Sequence, residues 1–454
     1  MPQPNRREFL RGAAAAGAGL VILSSSRAAF SFAANESINV ALVGVGGRGR
    51  WFVDEVPKIE NVVAMCDVNQ SKASYAYKLF PDLPKFEDFR VMLDKMDRQI
   101  DAVIVATPDH THAVISVAAM KAGKHVFTEK PLSRTVHEAR AMRLTAEAQN
   151  VATQMGNQGS SSGQFRRGVE LIQEGALGQI REIYVWNSSS GANRTSPPEG
   201  TQPVPPYLNW DLWLGPNRYR DFHPQWLQIN AWREFGTSLL GWWATHSAYL
   251  AFYAMKAGAC WQAADAKPRI RIEAHPTEIN RLSYPRREVI HFHIPARQDL
   301  PPITITWFLG DQEYRRKVES YIGRQLDWGD AGERKWVEHG GALIVGSEGI
   351  LRANEHNGGI WLYPAEKFAA EDKQPRRLPT AQSHERDWFR SIRGGPRTLS
   401  NFSSTGPFLE LLMLGNVATQ FPEPLEYDPI EGRIVNNAEA DAVARPEYRQ
   451  GWSL

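Results

Sequence analysis

Cysteine is nearly missing: the 454 residues contain two, Cys66 and Cys260. Cys66 falls inside an apolar, strand-like run, so a disulfide framework is excluded as the organising principle, and no cysteine spacing suits a metal. Also lacking is any run of like charge. The 52 basic and 50 acidic side chains leave a net charge of +2 and are mixed along the chain, which provides no patch for a nucleic acid or an anionic membrane surface. No internal repeat or low-complexity tract follows the first 34 residues. What is present is a 42% hydrophobic composition over a length that suggests two or three domains with sizeable cores.

The first 34 residues read as an address. Arg6-Arg7 precedes Phe9-Leu10, an Ala/Gly-rich apolar stretch runs from Gly12 to Leu23, and small residues surround Ala33-Ala34. The apolar part is too short and too mildly hydrophobic to span a bilayer as an ordinary helix, and the order basic, apolar, small is that of a cleavable secretory signal. The paired arginines resemble a twin-arginine signal, which carries proteins out already folded. The expectation is therefore a periplasmic or otherwise exported protein without membrane anchoring, loaded with any cofactor before crossing. A disordered basic tail is the alternative.

Ile38-Asn39-Val40-Ala41-Leu42-Val43 reads as a buried strand that runs into Gly44-Val45-Gly46-Gly47-Arg48-Gly49. Gly44, Gly46 and Gly49 fit G-x-G-x-x-G: a tight turn, close approach of backbone amides to a pyrophosphate, and close packing of the next helix. A second apolar strand, Asn61 to Cys66, ends in Asp67, at the spacing of the carboxylate that takes the ribose hydroxyls, which favours NAD over NADP by charge repulsion. Further strands at 102–106 and 125–127, with a helix from about His112 to Ala122 between them, predict a doubly wound parallel sheet across 35–158. Thr107-Pro108-Asp109-His110-Thr111-His112 and Thr128-Glu129-Lys130-Pro131 then stand at carboxyl ends of strands, where ligands bind. His110 and His112 lack a third partner, so no metal is assigned to them.

The glycine motif, Ala106-Thr107-Pro108-Asp109-His110-Thr111-His112 and Ala122-Gly123-Lys124-His125-Val126-Phe127-Thr128-Glu129-Lys130-Pro131 together resemble the Gfo/Idh/MocA family of glucose-fructose oxidoreductases and inositol dehydrogenases. The resemblance continues through Met155-Gly156-Asn157-Gln158, Asn209 to Pro216, Trp232-Arg233, His384 to Phe389 and Leu414 to Val417, and looks like that of the exported subgroup. It implies an α/β protein whose 159–454 portion carries a large open mixed sheet, supports a homodimer or homotetramer, and has late helices packed back on the Rossmann domain. It also implies cofactor contacts from Gly44, Gly46, Arg48, Gly49, Asp67, Thr107, Pro108, His110, His112, Glu129 and Lys130.

By the same resemblance Lys130 points at the nicotinamide and at the substrate hydroxyl, where an ammonium stabilises developing alkoxide charge or, with a depressed pKa, exchanges the proton. The family's second element is an Asp four residues before a His; here His246 is present and Trp242 stands in the Asp position. His246 is a catalytic candidate by its near-neutral pKa, with a buried structural histidine as the alternative. Asn157, Gln158, Trp210, Trp232 and Arg233 are candidates for a sugar site, since aromatic faces cover apolar C–H surface and Arg binds hydroxyls; core or subunit interface is the competing reading for the tryptophans.

Elsewhere, strands are predicted at 180–186, 288–294, 303–308 and 342–345, a long loop over 188–206, and helices at 384–392 and 407–419; residues 324–339 give no pattern. Three functions follow from the resemblance. The first is NAD-dependent hydride transfer to or from a sugar or cyclitol, on a tightly bound cofactor. The second is redox-neutral glycoside cleavage through transient oxidation and elimination. The third is a dinucleotide-containing sugar binder without turnover.

Overall fold

The computed structural model describes residues 37–328, 338–370 and 377–454, so the signal-like segment 1–34 and most of the unassigned 324–339 stretch lie outside the described residues. Strands β1 (Asn39–Val43), β2 (Asn61–Cys66), β3 (Lys85–Phe86), β4 (Ala102–Val105), β5 (His125–Thr128) and β6 (Thr153–Met155) form a sheet of order 3-2-1-4-5-6. Every pairing in it is parallel. Apolar residues fill β1 from Val40 to Val43 and all of β4, because a parallel sheet covered on both faces leaves no side to polar groups. Between the strands run α1 (Gly49–Glu55), α2 (Gln70–Leu79), α3 (Phe89–Lys95), α4 (Asp109–Lys121) and α5 (Val136–Gln149). Local chemistry sets their starts. The Asn69 side chain caps α2, and Thr135 with Glu138 forms a reciprocal capping box on α5.

The second sheet is mixed and has nine strands, in order β13-β12-β11-β7-β10-β9-β8-β14-β15. Its centre is β7 (Ile180–Asn187), β10 (Ile303–Leu309), β9 (Glu288–Ile294) and β8 (Ile270–Pro276). Beyond β7 lie β11 (Gly340–Gly346), β12 (Ile350–Asn354) and β13 (Ile360–Tyr363), and beyond β8 lie β14 (Leu425–Asp428) and β15 (Arg433–Ile434). Only β7 with β10 pairs in parallel; β10 with β9 is antiparallel and in register from Ile303 opposite Ile294 to Leu309 opposite Glu288. Around this sheet run α6 (Gly163–Gln173), α7 (Trp210–Leu214), α8 (Thr245–Ser247), α9 (Tyr249–Ala254) and α10 (Gln312–Ile322).

The last three helices are α11 (His384–Ile392), α12 (Phe402–Ala418) and α13 (Ala438–Ala444). From α11, Trp388 and Phe389 enter the core that β1, α1 and α2 build around Phe52 and Phe127. Each such ring buries about 150–250 Å², worth roughly 4–6 kcal/mol gross. The buried Arg166–Asp387 pair, at 2.8 Å, ties α6 to α11. On the opposite face α12 packs along α5. Two helix starts differ from the sequence reading: α4 starts at Asp109 rather than near His112, and α12 starts at Phe402, capped by Asn401, with Pro407 inside it. Among the described residues no helix is long and apolar enough to cross a membrane.

Candidate active site

A cleft of about 550 Å³ opens along the carboxyl ends of the first sheet. Its floor is the turn after β1. Gly44 takes φ +79°, and a Cβ there would lie 2.6 Å from the Ala106 carbonyl oxygen; a Cβ on Gly49 would overlap the Gly44 carbonyl. Gly49 therefore serves packing from behind the loop, whereas Gly44, Gly46 and Arg48 line the cleft. Asp67, at the end of β2, accepts hydrogen bonds from the Val45 amide at 3.0 Å, the Gly46 amide at 3.3 Å and the Asn69 amide at 2.8 Å. Burial raises its pKa, and those amides and Lys72 oppose the rise. A desolvated carboxylate one side of which still faces the cleft fits a vicinal diol, which supplies two further donors.

At the other end lie Thr107, Pro108, Glu129 and Lys130, all of which line the cleft. The Glu129 carboxylate is held by Arg48 Nε at 2.9 Å and by the Lys130 amide at 3.1 Å. Gly156 makes room for it: a Cβ there would lie 2.7 Å from Glu129 Cδ. Lys130 Nζ donates to the Trp242 carbonyl at 3.3 Å and sits 4.8 Å from the Trp242 ring centroid. Burial lowers its pKa, Glu129 and Asp109 hold it up, and Arg48 adds to the lowering.

Sequence reasoning missed Asp109. Its buried carboxylate lines the cleft and accepts from Thr237 Oγ1 at 2.7 Å and from Trp242 Nε1 at 3.1 Å. Burial raises its pKa, and His112, the two hydrogen bonds and Lys130 oppose the rise. Trp242 thus does not leave the lysine without an acid nearby; its indole N–H reaches a carboxylate at the start of α4. The signal in the sequence is an acidic residue directly after Pro108 at a strand end.

His246 is buried, its Nδ1 has no hydrogen-bond partner, and its ring centroid is 4.6 Å from that of His356. Burial, then Lys130, His356, His384 and Arg48, drive its pKa well below the ordinary value, so the ring is neutral. The expected simple i,i+4 helix is corrected: residues 240–244 form a π turn and α8 follows. Asn157 is buried with neither side-chain amide atom paired, as is the Ser160 hydroxyl. Each orphan costs about 1–3 kcal/mol unless a ligand answers it. Gly159 abuts the carbonyl of His356, so the turn carrying His356 joins His246 to the Asn157–Ser160 stretch. Gln158 is exposed.

None of His246, Asn157 and Gln158 lines the cleft, and five further candidates are placed away from it. His110 is buried, with Nε2 at 2.7 Å from the Trp213 carbonyl and Nδ1 at 3.3 Å from that of Phe235; burial depresses its pKa to about 3. His112 links the Pro131 and Thr107 carbonyls, each at 2.8 Å. Both histidines are struts rather than cofactor contacts. Trp210 stacks on Trp213 at 4.8 Å and Trp232 packs on Trp226 at 4.7 Å, with both indole N–H groups given to backbone carbonyls. Arg233 donates to Asn280 O, Asn416 O and Thr419 Oγ1 over the Tyr284 ring. These three pack internally, each indole N–H and each Arg233 nitrogen having a partner within the protein; the tryptophans that do line the cleft are Trp213, Trp242 and Trp452.

Residues 38–157 match the model of the GFO_IDH_MocA oxidoreductase family, NAD-binding Rossmann fold. Curated relatives include a glycosyl hydrolase family 109 protein of Solibacter usitatus, 34% identical over 33% of this chain and 37% of its own length. Levoglucosan dehydrogenase of Pseudarthrobacter phenanthrenivorans is 30% identical over 35% and 43%. The chain thus matches under half the length of these relatives. Among solved structures, levoglucosan dehydrogenase with NADH and levoglucosan aligns with TM-score 0.54 at 18% identity, over 86% of this chain and 99% of that one. The WlbA dehydrogenase of Bordetella pertussis with NADH and UDP-GlcNAcA gives 0.53 at 16%, over 86% and 98%. At these identities the structural likeness establishes the fold.

Proposed function

We propose, from the match of residues 38–157 to the Gfo/Idh/MocA oxidoreductase family model, that the protein transfers a hydride between a tightly held NAD and a hydroxyl or carbonyl carbon of a sugar or cyclitol. The observation that carries this reading is one continuous cleft running from the Asp67 carboxylate past the glycine turn to Lys130. The Gly44–Arg48 turn would cradle the pyrophosphate and Asp67 the ribose diol, with repulsion by that carboxylate disfavouring a 2′-phosphate. When bound, the nicotinamide supplies the hydride acceptor or donor. Lys130 Nζ, its ammonium form weakened by burial, takes the proton of the reacting hydroxyl in oxidation and returns it in reduction. The Trp242 carbonyl aims that amine, Arg48 holds Glu129 behind it, and the charge of Asp109 keeps it from losing its proton too early. His246 Nδ1 and the Asn157 amide are buried without partners and do not line this cleft, so no substrate contact is assigned to them.

A second reading is favoured by the relatives named as glycosyl hydrolases: the same oxidation acidifies a neighbouring C–H, a glycosidic bond is eliminated, and the hydride returns. Incubating the protein with NAD and a panel of free, anhydro and aryl-glycoside sugars separates the readings. Net NADH formation supports hydride transfer; cleavage without net redox change supports the second. Neither, from protein that holds NAD, leaves a sugar binder. Export through a twin-arginine signal in residues 1–34, with NAD loaded beforehand, and homo-oligomerisation belong to the same proposal. Fractionation of cells and sedimentation of the purified protein test them.

A further inference from the structure

One wall of the cleft comes from far along the sequence. Trp452 lines it beside Phe89, whose ring centroid is 6.1 Å away, and Arg90 Cζ lies 4.5 Å from the centre of the indole. The segment 448–454 that carries it is fastened at separated points. Arg449 donates through its amide to Pro216 O at 3.0 Å and through Nε to Gly215 O at 2.7 Å. Arg90 Nη1 reaches Gly451 O at 3.3 Å, Lys121 Nζ reaches Leu454 O at 2.8 Å, and the Tyr448 hydroxyl reaches Glu138 at 2.7 Å.

Strand order fixes which half of a dinucleotide this wall would meet. Lys130 follows β5, on one side of the β1/β4 switch point; Asp67 follows β2 and Phe89 opens the helix after β3, on the other side. In a doubly wound sheet the nicotinamide lies on the first side and the adenosine on the second. A half-buried indole beside an arginine and a phenyl ring is suited to a purine face.

We propose that Trp452 is an adenine-binding residue and that the segment 448–454 is a strap that retains the dinucleotide. This rests on the NAD reading above. It accounts for retention at the end of the cleft remote from Lys130.

The test compares full-length wild type, Trp452→Ala and Trp452→Phe by calorimetric titration with NAD, ADP-ribose and nicotinamide mononucleotide, alongside thermal melting. The expected result is ADP-ribose and NAD affinity weakened roughly tenfold in Trp452→Ala, about 1.4 kcal/mol, with mononucleotide affinity and melting unchanged and Trp452→Phe between the two. Equal ADP-ribose affinity in wild type and Trp452→Ala overturns the strap and leaves the NAD reading standing; so does equal weakening of all three ligands. Wild type that binds no dinucleotide overturns both. Should Trp452→Ala fail to fold, hydrogen exchange of the wild type decides: ADP-ribose must slow exchange of the amides of 448–454, and no slowing refutes the strap.

Discussion

Gly156→Ala is expected to cut turnover sharply in a protein that still folds. A Cβ at Gly156 would stand 2.7 Å from Glu129 Cδ and Oε2 and 2.9 Å from Oε1, against an ordinary contact beginning near 3.4 Å. The carboxylate must therefore retreat by about 0.7 Å, the difference of those two distances. It is buried and has two engagements to lose, Arg48 Nε at 2.9 Å and the Lys130 amide at 3.1 Å. Overpacking of this kind costs about 1–3 kcal/mol, and the half-exposed Arg48 pair adds under ~1 kcal/mol, so the fold survives. Because the Lys130 backbone moves with Glu129, turnover is expected to fall about 100-fold, the scale of a 1 Å misplacement. ADP-ribose affinity, read by calorimetry, stays within roughly threefold, since that half of the cleft is remote from Glu129. Glu129→Asp in the same chain shortens the side chain and restores part of the rate. A Gly156→Ala protein with wild-type turnover on the sugar identified from the panel would refute the reasoning.

Lys130→Ala should lower turnover by about 10²–10⁴ while leaving NAD bound, which equilibrium dialysis checks. Asp109→Asn removes a negative charge that raises the Lys130 pKa, so the rise of the oxidation rate with pH shifts to lower pH; an unshifted profile contradicts the assigned coupling. Arg233→Met leaves the Asn280 carbonyl without a donor, at about 1–3 kcal/mol, while Asn416 O keeps Thr419 Oγ1 and Gln420 Nε2; it should lower denaturant stability without changing sugar KM. Glu288 has its carboxyl raised from 4.5 to about 7 by burial. The folded protein then binds the extra proton, so this group's contribution to stability falls as pH rises across that window. Glu288→Gln should flatten that fall in melting temperature measured from pH 5 to pH 8.

The parallel sheet was legible because its strands are apolar runs that end in glycine, acidic or proline signals. Strands 61–66 and 288–294 and helix 384–392 fall on the predicted residues. Short edge strands such as β3 and β15 carry too few residues for any period to register, and α10 was hidden by a mixed charged sequence, its start set by the Asp311 side chain. Within the site, Gly44 and Asp67 were readable from motif and spacing, and Lys130 from its place at a strand end together with the family resemblance; all three line the cleft. Residues whose role depends on what crosses over from elsewhere were not. His110 and Arg233 resemble ligand-binding groups in sequence, and only their internal contacts with backbone carbonyls reveal them as struts. Conversely, Asp109 and Trp242 acquire meaning through each other across 133 positions, a pairing no local pattern announces.

The account depends on a dinucleotide seated along the strand ends with its reactive ring beneath the Lys130 amine. Stripping the purified protein of small molecules and titrating it with NAD by calorimetry addresses this directly. Saturable binding of one NAD per chain, lost in Asp67→Ala and retained in Lys130→Ala, is the predicted result. No saturable binding, or binding indifferent to Asp67, would contradict it.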